Sequence, residues 1–120
     1  MTNSRVTRGR ESEAILAGYL RGHGFPHAER VAASLKGADV TGTPGIAIEV
    51  KSRTNLDLGA WMKQAAKREG VPLLVVRLNG AGPSTIGNWP MVVPLGVGIE
   101  LLRGAGYGDR SGEKGSSSLP

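Results

Sequence analysis

With 120 residues the chain can build one ordinary domain, so any functional site must rest on a single core or be shared between copies. Cysteine is absent, which excludes disulfides, thiolate nucleophiles and cysteine-ligated zinc. Fifteen Lys and Arg against ten Asp and Glu leave a net charge of +5, which favours a polyanionic partner, nucleic acid before others.

In chain order, residues 1–7 (MTNSRVT) lack apolar periodicity and read as a flexible basic arm. A helix is expected from about Arg8 to His23, with Ile15, Leu16, Tyr19 and Leu20 on one face and Gly22 and Gly24 stopping it. A weak strand follows around Val31 to Leu35. The run from Lys36 to Lys51 reads as a β-hairpin, because two extended stretches flank the turn formers Gly42-Thr43-Pro44-Gly45. A second helix spans about Leu56 to Glu69, with Leu58, Trp61, Met62, Ala65 and Ala66 as its apolar stripe and Asn55 or Asp57 as its cap. Pro72 to Leu78 is apolar enough for a central buried strand. A weaker strand at Met91 to Leu95 and a short helix through Ile99 to Leu102 complete residues 8–103, a single domain of the α/β class in which helices cover a mixed sheet. Residues 104–120 form a Gly- and Ser-rich tail that is expected to be disordered. No stretch near the start resembles a signal peptide, and none reaches the ~20 apolar residues that cross a bilayer, so no membrane role and a cytoplasmic location are expected.

The chemistry concentrates in the hairpin. Side chains alternate along a strand, so Ile46, Ile48 and Val50 share one face and Ala47, Glu49 and Lys51 the other. The favoured register sets Asp39 across from Glu49, since a shift of one residue would turn Asp39 into the core. Two carboxylates roughly 5 Å apart repel unless a cation lies between them, and hard oxygen donors suit Mg2+ or Mn2+. Such an ion polarises a phosphoryl oxygen and acidifies a bound water, while a neighbouring lysine stabilises developing negative charge without competing for the ion. The same three residues also read as an exposed cross-strand ion cluster, and spacing alone leaves both readings open. His23 and His27 lack metal-ligand spacing and are taken as structural, and Trp61 as core.

Asp39, nine residues, then Glu49-Val50-Lys51 resembles the motif of the PD-(D/E)XK nuclease superfamily, with Ala38 where the superfamily name has proline. Arg8-Gly9, then Glu13, then His23-Gly24-Phe25 is similar to the opening of the archaeal-type and phage Holliday-junction resolvases. The resemblance runs from about Arg8 to Leu78. It implies a restriction-endonuclease-like fold and catalytic residues Glu13, Asp39, Glu49 and Lys51. It further implies a Mg2+ ion, replaceable by Mn2+, on Asp39, Glu49 and the Val50 carbonyl, with Glu13 acting directly or through water. Helix geometry agrees with Glu13, which lies roughly 80° from the centre of the apolar stripe against roughly 120° for Glu11. DNA contacts are expected from Arg8, Arg10, Arg30, Ser34, Arg53, Lys63 and Lys67, with Arg68 a further candidate and Gln64 matching a helix glutamine of some members. The implied function is resolution of four-way DNA junctions by a homodimer in a bacterial or phage-infected cell. Cutting of flaps, nicks or duplex, or DNA binding without turnover, are the alternatives.

Overall fold

The computed structural model describes residues 4–31, 38–52 and 56–108. Helix α1 (Ser4–Arg21) leads through β1 (Glu29–Arg30) and β2 (Val40–Thr41) to β3 (Ile46–Lys51), the middle strand of a five-stranded sheet of order β1-β2-β3-β4-β5. Helix α2 (Leu58–Ala65) then carries the chain back to β4 (Val71–Val76), which runs parallel to β3, as a strand–helix–strand crossover permits. The other pairings are antiparallel, including β4 with β5 (Met91–Val92), so the sheet is mixed. A 3-10 helix (Pro83–Asn88) precedes β5, and α3 (Leu95–Gly104) follows it.

Strand alternation divides the interior between the two faces of the sheet. Ile48 and Val50 of β3 and Val75 of β4 pack with Leu16 and Ala17 of α1, together with Ala28, Val40 and Trp89. On the opposite face Leu74 and Val76 pack with Trp61 and Ala65 of α2. Each large side chain so buried contributes roughly 1.5–3 kcal/mol, which anchors one helix to each face. Trp61 is core, as its place in the stripe predicts. Among the described residues no helix is long and apolar enough to cross a membrane.

Strand β3 and the hairpin follow the sequence expectation, and Val40 opposite Ile48 lies in the favoured register. Elsewhere the boundaries move. Residues 4–7, expected in a flexible arm, are the first turn of α1; the Arg8 guanidinium just after them donates to the Leu78 carbonyl (3.3 Å) and ties this end of the helix to the exit of β4. Helix α2 is shorter than predicted. Asp57 caps it by accepting from the Ala60 amide (2.9 Å), and turns over 66–70 end it. Strand β5 stops at Val92 because Pro94 caps α3, which in turn is longer than the predicted Ile99–Leu102. The 3-10 helix was not anticipated, although Gly82 and Pro83 mark its start. Of the predicted strand around Val31 to Leu35, residues 32–35 lie outside the described residues, as do Asn55 and residues 109–120 of the tail. Helix α3 buries none of its residues, with Leu95 81 % exposed.

Candidate active site

Strand β3 turns Glu49 and Lys51 toward the α2 face, because Ile48 and Val50 are committed to the α1 face. Glu49 lies on the central strand and is only 4 % exposed. A buried carboxylate without a counter-charge costs about 3–5 kcal/mol, so its surroundings must supply cations. Two are present. The Arg68 Nη1 lies 2.7 Å from Glu49 Oε1, and the Lys51 Nζ lies 3.9 Å from Oε2. Arg68 belongs to the turn after α2, where its amide donates to the Ala65 carbonyl (3.1 Å). Gly70 closes that turn at φ +93°, close enough to Gly45 that a Cβ would stand 2.9 Å from its carbonyl carbon and oxygen. The turn is thus held against the β2–β3 hairpin. The Arg68–Glu49 contact is a close ion pair between two buried atoms, Glu49 Oε1 and Arg68 Nη1.

Asp39 stands one residue before β2. Its amide donates to the Ile48 carbonyl (2.8 Å) and its carbonyl accepts from the Val31 amide (3.0 Å). Its carboxylate Oδ2 accepts from the Val50 amide (2.9 Å), so it is held against the backbone between Glu49 and Lys51. That side-chain bond replaces a strand pairing that would have continued the ladder.

Glu13 comes from α1, on the other face of the sheet. Arg30 Nη1 lies 3.7 Å from its Oε1. Desolvation raises its pKa, the Asp39 charge raises it further, and Arg30 and Arg10 pull the other way. Glu13 therefore feels Asp39 across the sheet edge. Glu11, by contrast, is bound to Arg77, whose Nη1 donates to Glu11 Oε1 (2.7 Å) and to the buried Ser12 hydroxyl (3.1 Å). Arg77 also donates through Nε to the Ala81 carbonyl (2.9 Å) and lies 5.5 Å from the Trp89 ring centroid. Glu11 and Arg77 join α1 to the end of β4, which leaves Glu13 as the acid of that helix facing the hairpin.

The raised pKa has a definite sign in stability. The folded protein holds the Glu13 proton more tightly than the unfolded chain does. The stability from protonated Glu13 is complete below the unfolded value and is lost as pH rises through the raised folded one. Glu13→Gln is expected to match the parent in acid and to become the more stable of the two as pH climbs through that range toward neutrality. Urea unfolding across pH 3–7 checks this; a gap that is constant with pH would contradict it.

Of the basic residues expected to meet DNA, Arg30 and Lys67 line one open groove together with Arg68 and Gln64. The groove is broad and open to solvent, with a volume of about 1360 Å³, and Glu13, Asp39, Glu49 and Lys51 do not line it. Lys63 is exposed on α2 and Arg10 on α1. Arg8 is engaged with Leu78. Ser34 and Arg53 lie outside the described residues. Gln64 also borders a second cavity of about 150 Å³ that reaches Lys51 and Asp57, room for a few waters.

Three carboxylates and the Val50 carbonyl offer hard oxygens of the kind a divalent cation takes, but Glu49 already faces Arg68 at 2.7 Å and Lys51 at 3.9 Å. The arrangement is in two halves, Glu13 with Asp39 and Glu49 with Lys51 and Arg68. Among the described residues no three Asp, Glu, His or Cys side chains gather as one ion requires. Arg68 as the partner of Glu49 was not legible beforehand, since 19 positions separate them and no periodicity links a strand residue to a turn beyond the next helix. Arg77 did carry a signal, a charge inside the apolar run PLLVVRL.

Compared with family models, curated proteins and solved structures, the chain finds no match. Its site is therefore read from its own residues.

Proposed function

We propose that the protein is a metal-dependent endodeoxyribonuclease of the PD-(D/E)XK type that hydrolyses phosphodiesters in branched DNA, four-way junctions foremost. One observation carries this reading. A carboxylate that is 4 % exposed sits on the middle strand of the sheet with a lysine ammonium 3.9 Å away, and the Asp39 carboxylate is bonded to the amide between them. Burying such a group is costly, and a purely structural strand would place an apolar residue there, as Leu74 does on the neighbouring β4.

In this reading Asp39, Glu49 and the Val50 carbonyl would hold a magnesium or manganese ion, and Glu13, which comes from the other face of the sheet, would act only through water. When bound, that ion polarises the scissile phosphate and acidifies a water. Lys51 reaches solvent, its side chain 34 % exposed, and so can meet a phosphate oxygen while it remains beside Glu49. Its charge opposes the negative charge that builds on the phosphoryl group. Arg30, Lys67 and Lys63 would follow the DNA backbone from the groove and from α2, each phosphate contact adding salt-dependent affinity. A two-fold homodimer belongs to the same reading, because a junction is resolved by two symmetric cuts. Helix α3, with Leu95, Ile99, Leu101 and Leu102 exposed, offers apolar surface for such contact.

The test is incubation of the protein with a synthetic four-way junction and Mg2+. Paired nicks across the junction are the expected result. Equal or faster cutting of a flap, nick or linear duplex would keep the nuclease and remove the junction preference. One observation favours a second reading, a DNA-binding module without turnover: Glu49 is already matched by two cations. Binding of all these DNAs with no cleavage in Mg2+ or Mn2+ would select it.

A further inference from the structure

We propose that Lys51 and Arg68, set on the two oxygens of the Glu49 carboxylate, form a phosphate-binding pair that works without a metal ion. The inference rests on the nucleic-acid reading above, in its cutting or its binding form, and makes Glu49 a positioning residue. Its first support is the charge count. One buried carboxylate faces two cations, Arg68 Nη1 at 2.7 Å from Oε1 and Lys51 Nζ at 3.9 Å from Oε2, which leaves one positive charge of the cluster unmatched. The acids closest in the chain are engaged with backbone: Asp39 Oδ2 accepts from the Val50 amide (2.9 Å) and Asp57 Oδ1 from the Ala60 amide (2.9 Å). A phosphate supplies the missing negative charge together with several acceptor oxygens, the combination that ammonium and guanidinium groups bind most strongly.

The second support is access. The Glu49 side chain is sealed at 5 % exposure, while Lys51 and Arg68 keep 34 % and 24 % of theirs in solvent. Among the described residues no other side-chain hydrogen bond or ion pair holds Arg68, so the rest of its five-donor fork is available. Lys51 lines the small cavity and Arg68 the broad groove, and Gln64 lines both, with an amide that can donate to the same anion. Glu49 fixes the spacing. Strand β3 carries Lys51 and the turn after α2 carries Arg68, and without an acid between them the two like charges would repel.

The experiment follows the Arg68 Nε–Hε and Lys51 Cε–Hε resonances of the full, unaltered chain in EDTA while inorganic phosphate or the phosphodiester thymidylyl-thymidine is added. Both resonances are expected to shift along one saturation curve, and chloride at matched ionic strength to leave them nearly still. Saturation by thymidylyl-thymidine identifies a strand backbone as the source of the phosphate; saturation by inorganic phosphate alone identifies a free phosphate at the same pair. Arg68→Gln is expected to weaken the response at Lys51, and Lys51→Gln the response at Arg68, by about ten-fold or more, as the loss of one charged hydrogen bond implies. The titration of the unaltered chain decides the matter even where a variant does not fold. Separate curves for the two resonances, movement of only one, or an equal response to chloride would overturn the shared site. Junction cleavage in Mg2+ by a protein whose pair ignores phosphate would leave the nuclease reading standing and remove this inference. A responsive pair in a protein that neither cuts nor binds DNA would support the phosphate pair and remove the nucleic-acid reading.

Discussion

Lys51→Ala is expected to slow junction cleavage by about 10²–10³-fold while leaving the protein folded and bound to DNA. The argument is one of position. Lys51 sits two residues beyond Glu49 on the same face of β3, partly in solvent, where a phosphate oxygen can reach it. Its loss does not strip Glu49 of charge compensation, because Arg68 remains 2.7 Å away, so stability should change little. DNA binding should weaken only by what one phosphate contact supplies, seen as a salt dependence shallower by about one unit. Lys51→Arg keeps the charge but replaces a compact ammonium with a planar fork, and is expected to recover part of the rate at most. Single-turnover cleavage and salt-dependent binding, measured on the same preparation, separate these effects. Undiminished cleavage by Lys51→Ala would remove the lysine from the reaction and with it the main support for the proposed function.

The largest effect on stability is expected at Gly42. This residue has φ +81°, and a Cβ built on it would overlap the His27 carbonyl oxygen and stand 2.9 Å from the Ala28 amide. Both obstacles are backbone, so no side-chain rotation relieves them. The His27 segment would have to move away from the β2–β3 turn, yet Ala28 is fully buried in the α1-side core and β1 pairs with β2 just beyond it. Gly42→Ala combines the roughly 1–2 kcal/mol of a left-handed non-glycine residue with a displacement of packed backbone, together about 4 kcal/mol or more. Against a total stability of roughly 5–15 kcal/mol, the variant should melt on the order of 15–25 °C lower or fail to fold. Gly24→Ala is the control: φ is +100° there too, but nothing lies within 4 Å of the added carbon. Only the conformational cost should appear at Gly24. Equal melting temperatures for the two variants would show that the close crossing at His27 does not constrain the fold.

Much of the site's immediate geometry could be read from the chain because it is local to one hairpin. Alternation placed Glu49 and Lys51 together and Ile48 and Val50 opposite them, and the cost of burying Asp39 chose the register in which Val40 meets Ile48. Element ends were harder to read. Nothing in SRVT forbids either helix or coil, and α1 extends to Ser4 where the neighbouring Arg8 is tied to β4. Likewise Pro94 ends β5 and begins α3, although either role alone was compatible with the sequence. Glu13 against Glu11 was only half legible. Helix angle favoured Glu13, but the reason Glu11 is unavailable, its bond to Arg77, depends on where β4 ends relative to α1.

The sequence by itself determined the α/β class, the β3 strand with its acid and lysine on one face, and the two helices that cover the sheet. Each of these follows from interactions within a few residues: side-chain alternation, the helical repeat, and turn-forming Gly and Pro. Only the tertiary structure decided which charges meet. Arg68 reaches Glu49, Arg77 reaches Glu11, and Glu13 senses Asp39, all between elements far apart in the chain. Coulomb attraction and desolvation depend on distance in space and on burial. Neither is defined until the parallel β3–β4 pairing brings the turn after α2 back over the central strand.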